Sequence, residues 1–215
     1  LVVAALTPRW PKGLYAFVSA ATAGTAIALS MVLWADVTDK GPQFLVGDAI
    51  ALDRFALMAT IIISSAVLLA SLVTDDYLRR EQMDGPEVYG LYMMAAIGGV
   101  VMASANDLIV MFLGLEVLSI ALYVLAASHR RRSESQESGI KYFVLGAFSS
   151  AFFLYGIALV YGGTGSTTFT DILANVSSSV PVERKDALVL AGVALLIVGL
   201  AFKVAAVPFH FWTPD

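Results

Sequence analysis

Six long apolar runs dominate the sequence, and they constrain its fold more than any other feature. A helix that crosses a membrane needs about 20 mostly apolar residues, because each residue advances the helix by only about 1.5 Å. In lipid, only helices and closed barrels satisfy their own backbone hydrogen bonds. The sequence therefore predicts an all-α integral membrane protein. The six predicted spans are Leu14–Trp34, Phe55–Val73, Tyr89–Ala105, Leu108–Ala127, Ile140–Tyr161 and Ala187–Trp212.

The composition agrees with that class and argues against others. Hydrophobic residues make up 59% of the chain and charged residues 14%, whereas a soluble domain has about 25% charged residues. No basic tract with interleaved aromatic residues is present, so we expect contact with membrane lipid and none with nucleic acid. With no cysteine and two histidines, the chain lacks ligands for an iron–sulfur cluster, a cysteine-bound zinc ion or a haem pair. We therefore expect no cofactor on this chain.

Both ends of the sequence adjoin apolar runs. Leu1–Leu6 predicts the tail of a truncated seventh span, and the chain stops at Asp215, shortly after the last run. We therefore expect residues 1–215 to form a single transmembrane domain that is a fragment of a longer protein.

Basic residues predict the orientation of the chain in the membrane. Alternate loops lie on opposite sides, and Lys and Arg are enriched in the cytoplasmic ones. Seven basic residues fall in one set of loops and three in the other, with Arg54 at a boundary. We call the first set the basic side and predict that it is cytoplasmic. The basic side carries Arg9, Lys12, Arg79, Arg80, Arg130, Arg131 and Arg132.

The loop 162–186 lies on the opposite side in this arrangement. Phe169, Ile172, Leu173 and Val176 fall at helical spacing within it. This spacing predicts a short helix that lies on the membrane surface.

Glu116 is an ionisable residue near the middle of a predicted span. It lies about nine residues into the run that begins at Leu108, or roughly 12–13 Å at about 1.5 Å per residue. Ser119 and Tyr123 follow at i+3 and i+7, so the same helix face carries a polar stripe. Ionisable residues inside spans mark ion pathways, which favours a proton-transfer site. The alternative is a neutral, hydrogen-bonded carboxyl that only packs helices.

Lys203 lies in the last predicted span, followed five residues later by Pro208. Gly199, one turn before the lysine, allows a neighbouring helix to approach closely. Pro208 cannot donate a hydrogen bond to the carbonyl of Val204, so we expect a broken helix there, with a free backbone oxygen beside the lysine. Broken helices form ion sites in membrane transporters. The alternative is a lysine that extends to the interface beside a passive proline kink.

His210 and Lys141 are further candidates for a proton path. His210 follows Lys203 by seven residues, so it would return to the same face if the helix continued. The alternative is an interfacial histidine beside Trp212. Lys141 lies at the start of its span, where a lysine that extends to the interface is ordinary. The residues alone therefore leave its role open.

A Glu116–Lys203 pair would have the interaction energy of a proton switch. A carboxylate about 4 Å from an ammonium group stabilises it by roughly 4 kcal/mol at an effective dielectric constant of about 20. Moving one charge across a membrane requires about 2.3 kcal/mol per 100 mV. Displacing the carboxylate would therefore favour release of the lysine's proton. The sequence alone does not bring the two side chains together.

Three segments resemble the antiporter-like membrane subunits of respiratory complex I, the proton-translocating NADH:quinone oxidoreductase. They are ASANDLIVMFLGLEVLSIALYVLA, ESGIKYFVLGAFSSAFFLYGIALVYGGTGS and AFKVAAVPFHFWTPD. In that family about fourteen helices include two inverted five-helix repeats, each with a broken helix. The resemblance implies that this chain is the N-terminal half, with the first repeat present and the second absent.

The resemblance also implies roles for individual residues. Glu116 matches the family's glutamate, and Lys203 matches the lysine of its first broken helix, to which Pro208 belongs. Lys141 matches a further membrane lysine, and His210 matches a histidine that connects half-channels. Glu116 would modulate Lys203, which would carry the proton, and the other two would extend the hydrated path.

The implied function is proton translocation across the bacterial inner membrane, coupled to NADH oxidation and quinone reduction elsewhere. NAD, FMN, iron–sulfur clusters and quinone would bind other subunits, and this chain would perform no redox chemistry. Its partners would be an antiporter-like neighbour and small membrane subunits. Two alternatives remain. One is a subunit of a multisubunit Na⁺/H⁺ antiporter or membrane-bound hydrogenase, and the other is a purely scaffolding membrane subunit.

Overall fold

The computed structural model describes residues 12–81, 85–177 and 184–210. Helices account for most of this part of the chain, and two short strands form an antiparallel hairpin. The all-helical membrane fold is confirmed. The elements are α1 (Lys12–Lys40), β1 (Gln43–Leu45), β2 (Ile50–Leu52), α2 (Arg54–Arg80), α3 (Pro86–Ala103), α4 (Leu108–Ala126), α5 (Ser133–Thr164), α6 (Phe169–Ser177) and α7 (Arg184–Lys203).

Within the described residues, five helices are long and apolar enough to cross a membrane, and they are α1 to α5. They correspond to the first five predicted spans, but some continue into polar sequence. α1 extends to Lys40 rather than Trp34, and α5 begins at Ser133 rather than Ile140. α7 covers the first part of the sixth predicted span, Ala187–Trp212, but ends already at Lys203. The predicted stub Leu1–Leu6 and the end of the sixth span at Trp212 lie outside the described residues.

The α3–α4 connection ends in a side-chain cap at Asp107. The Asp107 carboxylate accepts hydrogen bonds from the N–H groups of Ile109 and Val110 at 2.7 and 3.3 Å, which caps the start of α4. The two helices then run in close contact, because a Cβ on Gly114 would lie 2.6 Å from the backbone nitrogen of Met102. α4, which carries Glu116, is therefore held at both its start and its middle.

α5 and α7 form the closest helix pair around the candidate lysine. Gly156 and Gly192 face each other, and a Cβ on either would lie 2.8 Å from the other's carbonyl oxygen. The predicted close approach at Gly199 is also confirmed, because a Cβ there would lie 2.7 Å from the Cβ of Phe153. The Ser149 hydroxyl donates to the Gly199 carbonyl at 3.0 Å. These contacts fix the last turns of α7 against α5.

α7 ends immediately after Lys203 through a backbone motif. Ala205 adopts a left-handed conformation with φ of 52°. Its N–H bonds to the carbonyl of Phe202 at 3.1 Å, and the N–H of Ala206 bonds to that of Ala201 at 2.8 Å. This pair of hydrogen bonds is the Schellman motif, which satisfies carbonyl groups at a helix end.

The helix break therefore lies near Pro208, as predicted, but the reason given for it is wrong. Pro208 follows a cis peptide bond and lies outside the helix, so it does not free the carbonyl of Val204 within a continuing helix. His210 was expected to return to the helix face of Lys203 only if the helix continued, and this condition is not met, because α7 ends at Lys203, seven residues earlier.

On the side opposite the basic side, α6 confirms that residues 169–176 lie in a short helix. Ile172 packs against the buried cluster of α4 and α5, while Leu173 and Val176 are exposed. The sequence reading missed the hairpin between α1 and α2. It packs on the α3–α4 connection, where the Asn106 side chain donates to the carbonyl of Asp48 at 2.8 Å.

Candidate functional site

The ammonium group of Lys203 binds polar groups of α4. Its Nζ donates to the hydroxyl oxygen of Ser119 at 2.7 Å and to that of Tyr123 at 3.1 Å. It also lies 5.2 Å from the centre of the Tyr123 ring, within the range of a cation–π interaction. The polar stripe predicted on α4 is therefore real, and the lysine points into it instead of extending to the interface.

Glu116 lies near the middle of α4, one turn from Ser119. Its Oε1 accepts a hydrogen bond of 2.5 Å from the hydroxyl of Ser150 on α5. The described residues contain no Glu116–Lys203 ion pair within 4.0 Å, although Ser119, which binds the lysine, lies one turn from Glu116 on the same helix. The expected pair is thus an indirect one, in which Ser119 provides the contact to Lys203 and Ser150 provides the contact to Glu116.

Gly146 on α5 has no side chain, and the hydroxyl of Tyr123 occupies the space that is left. A Cβ on Gly146 would overlap that hydroxyl group. The Tyr123 ring meets the rings of Tyr142 and Phe143 edge-on, with centroids 4.7 and 5.7 Å apart. The ring is therefore confined from three points on α5, and its hydroxyl is directed at Lys203.

Lys141 lies in the first third of α5. Its Nζ pairs with Glu137, one turn earlier, at 2.9 Å, and 43% of its side chain is exposed. The next residue, Tyr142, stacks on Phe202 with ring centroids 6.4 Å apart, so this segment of α5 contacts the end of α7 that carries Lys203. The structure thus brings the α5 segment that contains Lys141 next to the end of α7 that carries Lys203.

His210 and Pro208 lie in irregular chain after α7. Pro208 is exposed, and His210 is half-buried. The structure therefore places the histidine beyond the helix break rather than on the helix that carries Lys203.

Sequence reasoning missed Ser150 as a member of the site. Ser149 and Ser150 are 5% and 8% exposed in the middle of an apolar span. Two adjacent serines in such a span are a signal, because a buried hydroxyl requires a hydrogen-bond partner. The Ser149 hydroxyl donates to the carbonyl of Gly199 on α7, and the Ser150 hydroxyl donates to the Glu116 carboxylate. In the described ranges, no group of three or more His, Cys, Asp or Glu residues could hold a metal ion.

Known proteins share both the sequence and the fold of this region. The profile of the family described as NADH:quinone oxidoreductase/Mrp antiporter, TM, matches residues 105–215, which is more than half of the chain. The matched segment contains all four candidate proton-transfer residues. These are Glu116, Lys141, Lys203 and His210.

Two relatives are named NADH-quinone oxidoreductase subunit N. The protein of Trichlorobacter lovleyi is 45% identical over 168 residues, covering 78% of this chain and 34% of the relative. That of Gemmatimonas aurantiaca is 43% identical over 190 residues, covering 88% of this chain and 35% of the relative. The chain thus spans about a third of the length of these relatives.

Solved structures also resemble this one. A chain of respiratory complex I from Thermus thermophilus with bound aureothin matches with a TM-score of 0.77 and 31% identity, covering 100% of this chain and 44% of that chain. A chain of the Mrp complex from a Dietzia species matches with a TM-score of 0.73 and 20% identity, covering 98% of this chain and 39% of that chain, which is a similarity of fold alone.

Proposed function

This chain belongs to the NADH:quinone oxidoreductase/Mrp antiporter family of membrane subunits, and we propose that it is the N-terminal part of subunit N of a proton-translocating NADH:quinone oxidoreductase. It is a multi-pass protein of the bacterial inner membrane. In this proposal residues 1–215 form one transmembrane domain with the first of two inverted repeats, and the remaining length of the protein supplies the second.

One observation carries the proposal. The amine of Lys203, at the end of a broken helix, is hydrogen-bonded to Ser119 and Tyr123, and Glu116 lies one turn from Ser119. Buried groups of opposite charge at such a position can store and release a proton, because the position of the carboxylate changes the free energy of the ammonium form.

Ser150 suggests how Glu116 exerts this control. When the carboxylate accepts the Ser150 hydrogen bond, it is held on α5 and not paired with Lys203. A shift of the carboxylate towards Ser119 would stabilise the ammonium form by up to roughly 4 kcal/mol at contact distance. The return to Ser150 would remove that stabilisation and favour release of the proton. Lys141 and His210 extend the hydrated path.

The energy for this cycle would come from other subunits. NADH oxidation and quinone reduction there would use NAD, FMN, iron–sulfur clusters and quinone, and this chain would contribute no redox step. Its partners would be an antiporter-like neighbour and small membrane subunits.

The direct test is substitution of Lys203→Ala or Glu116→Gln in the complete subunit. NADH-driven acidification of inverted membrane vesicles, normalised to assembled complex, should fall at least about tenfold. A barrier to the rate-limiting proton transfer that is higher by roughly 1.4 kcal/mol is enough for a tenfold slower rate. Lys40→Ala is the control, since its pair with Asp36 is a surface pair in which the lysine is 66% exposed. Normal acidification with Lys203→Ala would contradict the proposal.

A second candidate is a subunit of a multisubunit Na⁺/H⁺ antiporter or a membrane-bound hydrogenase. The family description includes Mrp antiporters, and the Dietzia Mrp chain has the same fold. Neighbouring genes would separate the two candidates. Genes for NADH dehydrogenase subunits favour the first, and antiporter or hydrogenase genes favour the second.

A further inference from the structure

Lys203 lies against aromatic rings as well as hydroxyl groups. Its Nζ lies over two rings, 5.2 Å from the centre of Tyr123 and 5.7 Å from the centre of Phe202. Both distances fall within the roughly 6 Å over which the face of a ring attracts a cation. Tyr142 connects the two rings, since it meets Tyr123 edge-on at 4.7 Å and stacks on Phe202 at 6.4 Å. We call Tyr123, Tyr142 and Phe202 the aromatic cluster.

Phe202 is the member of the aromatic cluster that has no polar group. It is 5% exposed and directly precedes Lys203 in the last turn of α7. The ring of Tyr142 on α5 lies at 27° to the ring of Phe202, so the phenylalanine is held from the neighbouring helix. A phenyl ring carries negative partial charge on its face. The only electrostatic contribution of this side chain to the amine is therefore that of its ring.

The surroundings of the amine make this contribution matter. The titratable groups on its side of the packed helices are Glu116 and Tyr123 from α4 and Tyr142 from α5. The carboxylate of Glu116 accepts the hydrogen bond of Ser150 and forms no contact with the amine. The attraction between a ring and a cation is larger where water is excluded. The rings thus supply favourable electrostatics to Lys203 when the carboxylate does not.

We propose that Phe202, held by Tyr142, stabilises the ammonium form of Lys203 through a cation–π interaction while Glu116 is bound to Ser150. Phe202 is then a further residue of the proton-transfer site, and it acts through the charge distribution of its ring. This inference rests on the proposed role of Lys203 as the proton carrier. The N–H bond of the amine is the only bond that forms or breaks, so no other reactant is needed.

Fluorination of the Phe202 ring is the direct test. Fluorine withdraws electron density from the face of a ring, which weakens a cation–π interaction and changes the size of the ring little. The complete subunit would carry phenylalanine with one, two or three ring fluorines at position 202. NADH-driven acidification of inverted vesicles would be measured against pH, per assembled complex. We expect the alkaline limb of the profile to move to lower pH with each fluorine, by about one pH unit over the series. An unchanged profile across the series overturns the proposal.

Phe153 provides the matched control. It is 1% exposed, stacks on Phe112 with ring centroids 6.2 Å apart and borders α7 at Gly199. Within the part of the chain that the structure describes, its ring has no contact with a cation. The same fluorinated residues at position 153 should leave the profile in place. An equal shift at both positions would be an effect of packing and would overturn the proposal.

Phe202→Leu removes the ring and keeps an apolar side chain. The alkaline limb should move at least as far as with three fluorines, and an unchanged profile overturns the proposal. If the leucine variant fails to assemble, the fluorinated series still decides, because it keeps the shape of the buried ring.

The two proposals fail in different ways. Normal acidification with Lys203→Ala contradicts the proposed function, and the role of Phe202 falls with it. Loss of acidification with Lys203→Ala, together with an unchanged profile across the fluorinated series, contradicts the role of Phe202 alone.

Discussion

At the scale of single residues, the candidate site depends on hydroxyl groups as much as on charges. Glu116 and Lys203 do not form an ion pair, and each instead binds a serine on a neighbouring helix. Hydrogen bonds to charged groups contribute about 1.5–3 kcal/mol each. Ser119 and Ser150 therefore hold the two charges apart with an energy comparable to the Coulomb attraction that a shift of Glu116 would gain, which suits a reversible switch.

Gly146→Ala tests the position of Tyr123. The added methyl group would overlap the Tyr123 hydroxyl, so the ring must move and its hydrogen bond to Lys203 is lost. We expect acidification to fall several-fold in assembled complex. Gly13→Ala is the control, because no atom lies within 4 Å of a Cβ there and alanine in a helix is favoured by about 1 kcal/mol. Equal rates in the two variants would contradict this role of Tyr123.

At the scale of helices, α5 is the element on which the site is assembled. It contacts α7 through glycines, supplies Ser150 to Glu116 and leaves space for Tyr123. α7 then stops at the Schellman motif centred on Ala205, which places Lys203 in the last helical turn. The site thus requires α5 and α7 to stay in contact along their glycine faces.

Gly156→Ala tests that contact. The new Cβ would lie 2.8 Å from the carbonyl oxygen of Gly192, so the two helices must separate. We expect a loss of about 1–3 kcal/mol in stability, the usual cost of overpacking, seen as a lower midpoint of thermal inactivation. Gly162→Ala, on the same helix with no atom within 4 Å, should leave the midpoint unchanged or raise it. An equal midpoint for the two variants would contradict close packing at Gly156.

The elements differ in how well the sequence predicts them. Apolar runs predict the positions of α1 to α5, because a segment in lipid must form its backbone hydrogen bonds internally and a helix does so. The helix ends are harder to predict, because some helices continue into polar sequence, as α1 does up to Lys40. The break near Pro208 was predicted, but the earlier helix end at Lys203 was missed, because the left-handed residue of its Schellman motif is Ala205 rather than the usual glycine. The hairpin was missed because its strands have three residues each.

At the scale of the whole molecule, the two ends of the helix bundle differ in how closely they are packed. Opposite the basic side, Asn106 in the α3–α4 connection donates hydrogen bonds to the hairpin and accepts one from the N–H of Phe169 at the start of α6. On the basic side, a cavity of about 850 Å³ lies between the ends of α2 and α4 and the starts of α3 and α5. Sequence reasoning identified the ionisable residues but neither Ser150 nor the cavity, because both depend on helix packing that spacing along the chain does not encode.

Proton exchange at Glu116 and Lys203 is the central claim, and one measurement separates it from a purely structural role. Replacing both residues at once, Glu116→Leu with Lys203→Met, removes the charges and keeps the volume, and such replacements are often neutral or stabilising. The complete subunit carrying both changes would be assayed for NADH-driven acidification per assembled complex in inverted vesicles. The account predicts normal assembly with acidification lowered at least about tenfold. Assembly and acidification both at the level of the unsubstituted complex would contradict it and favour a scaffold.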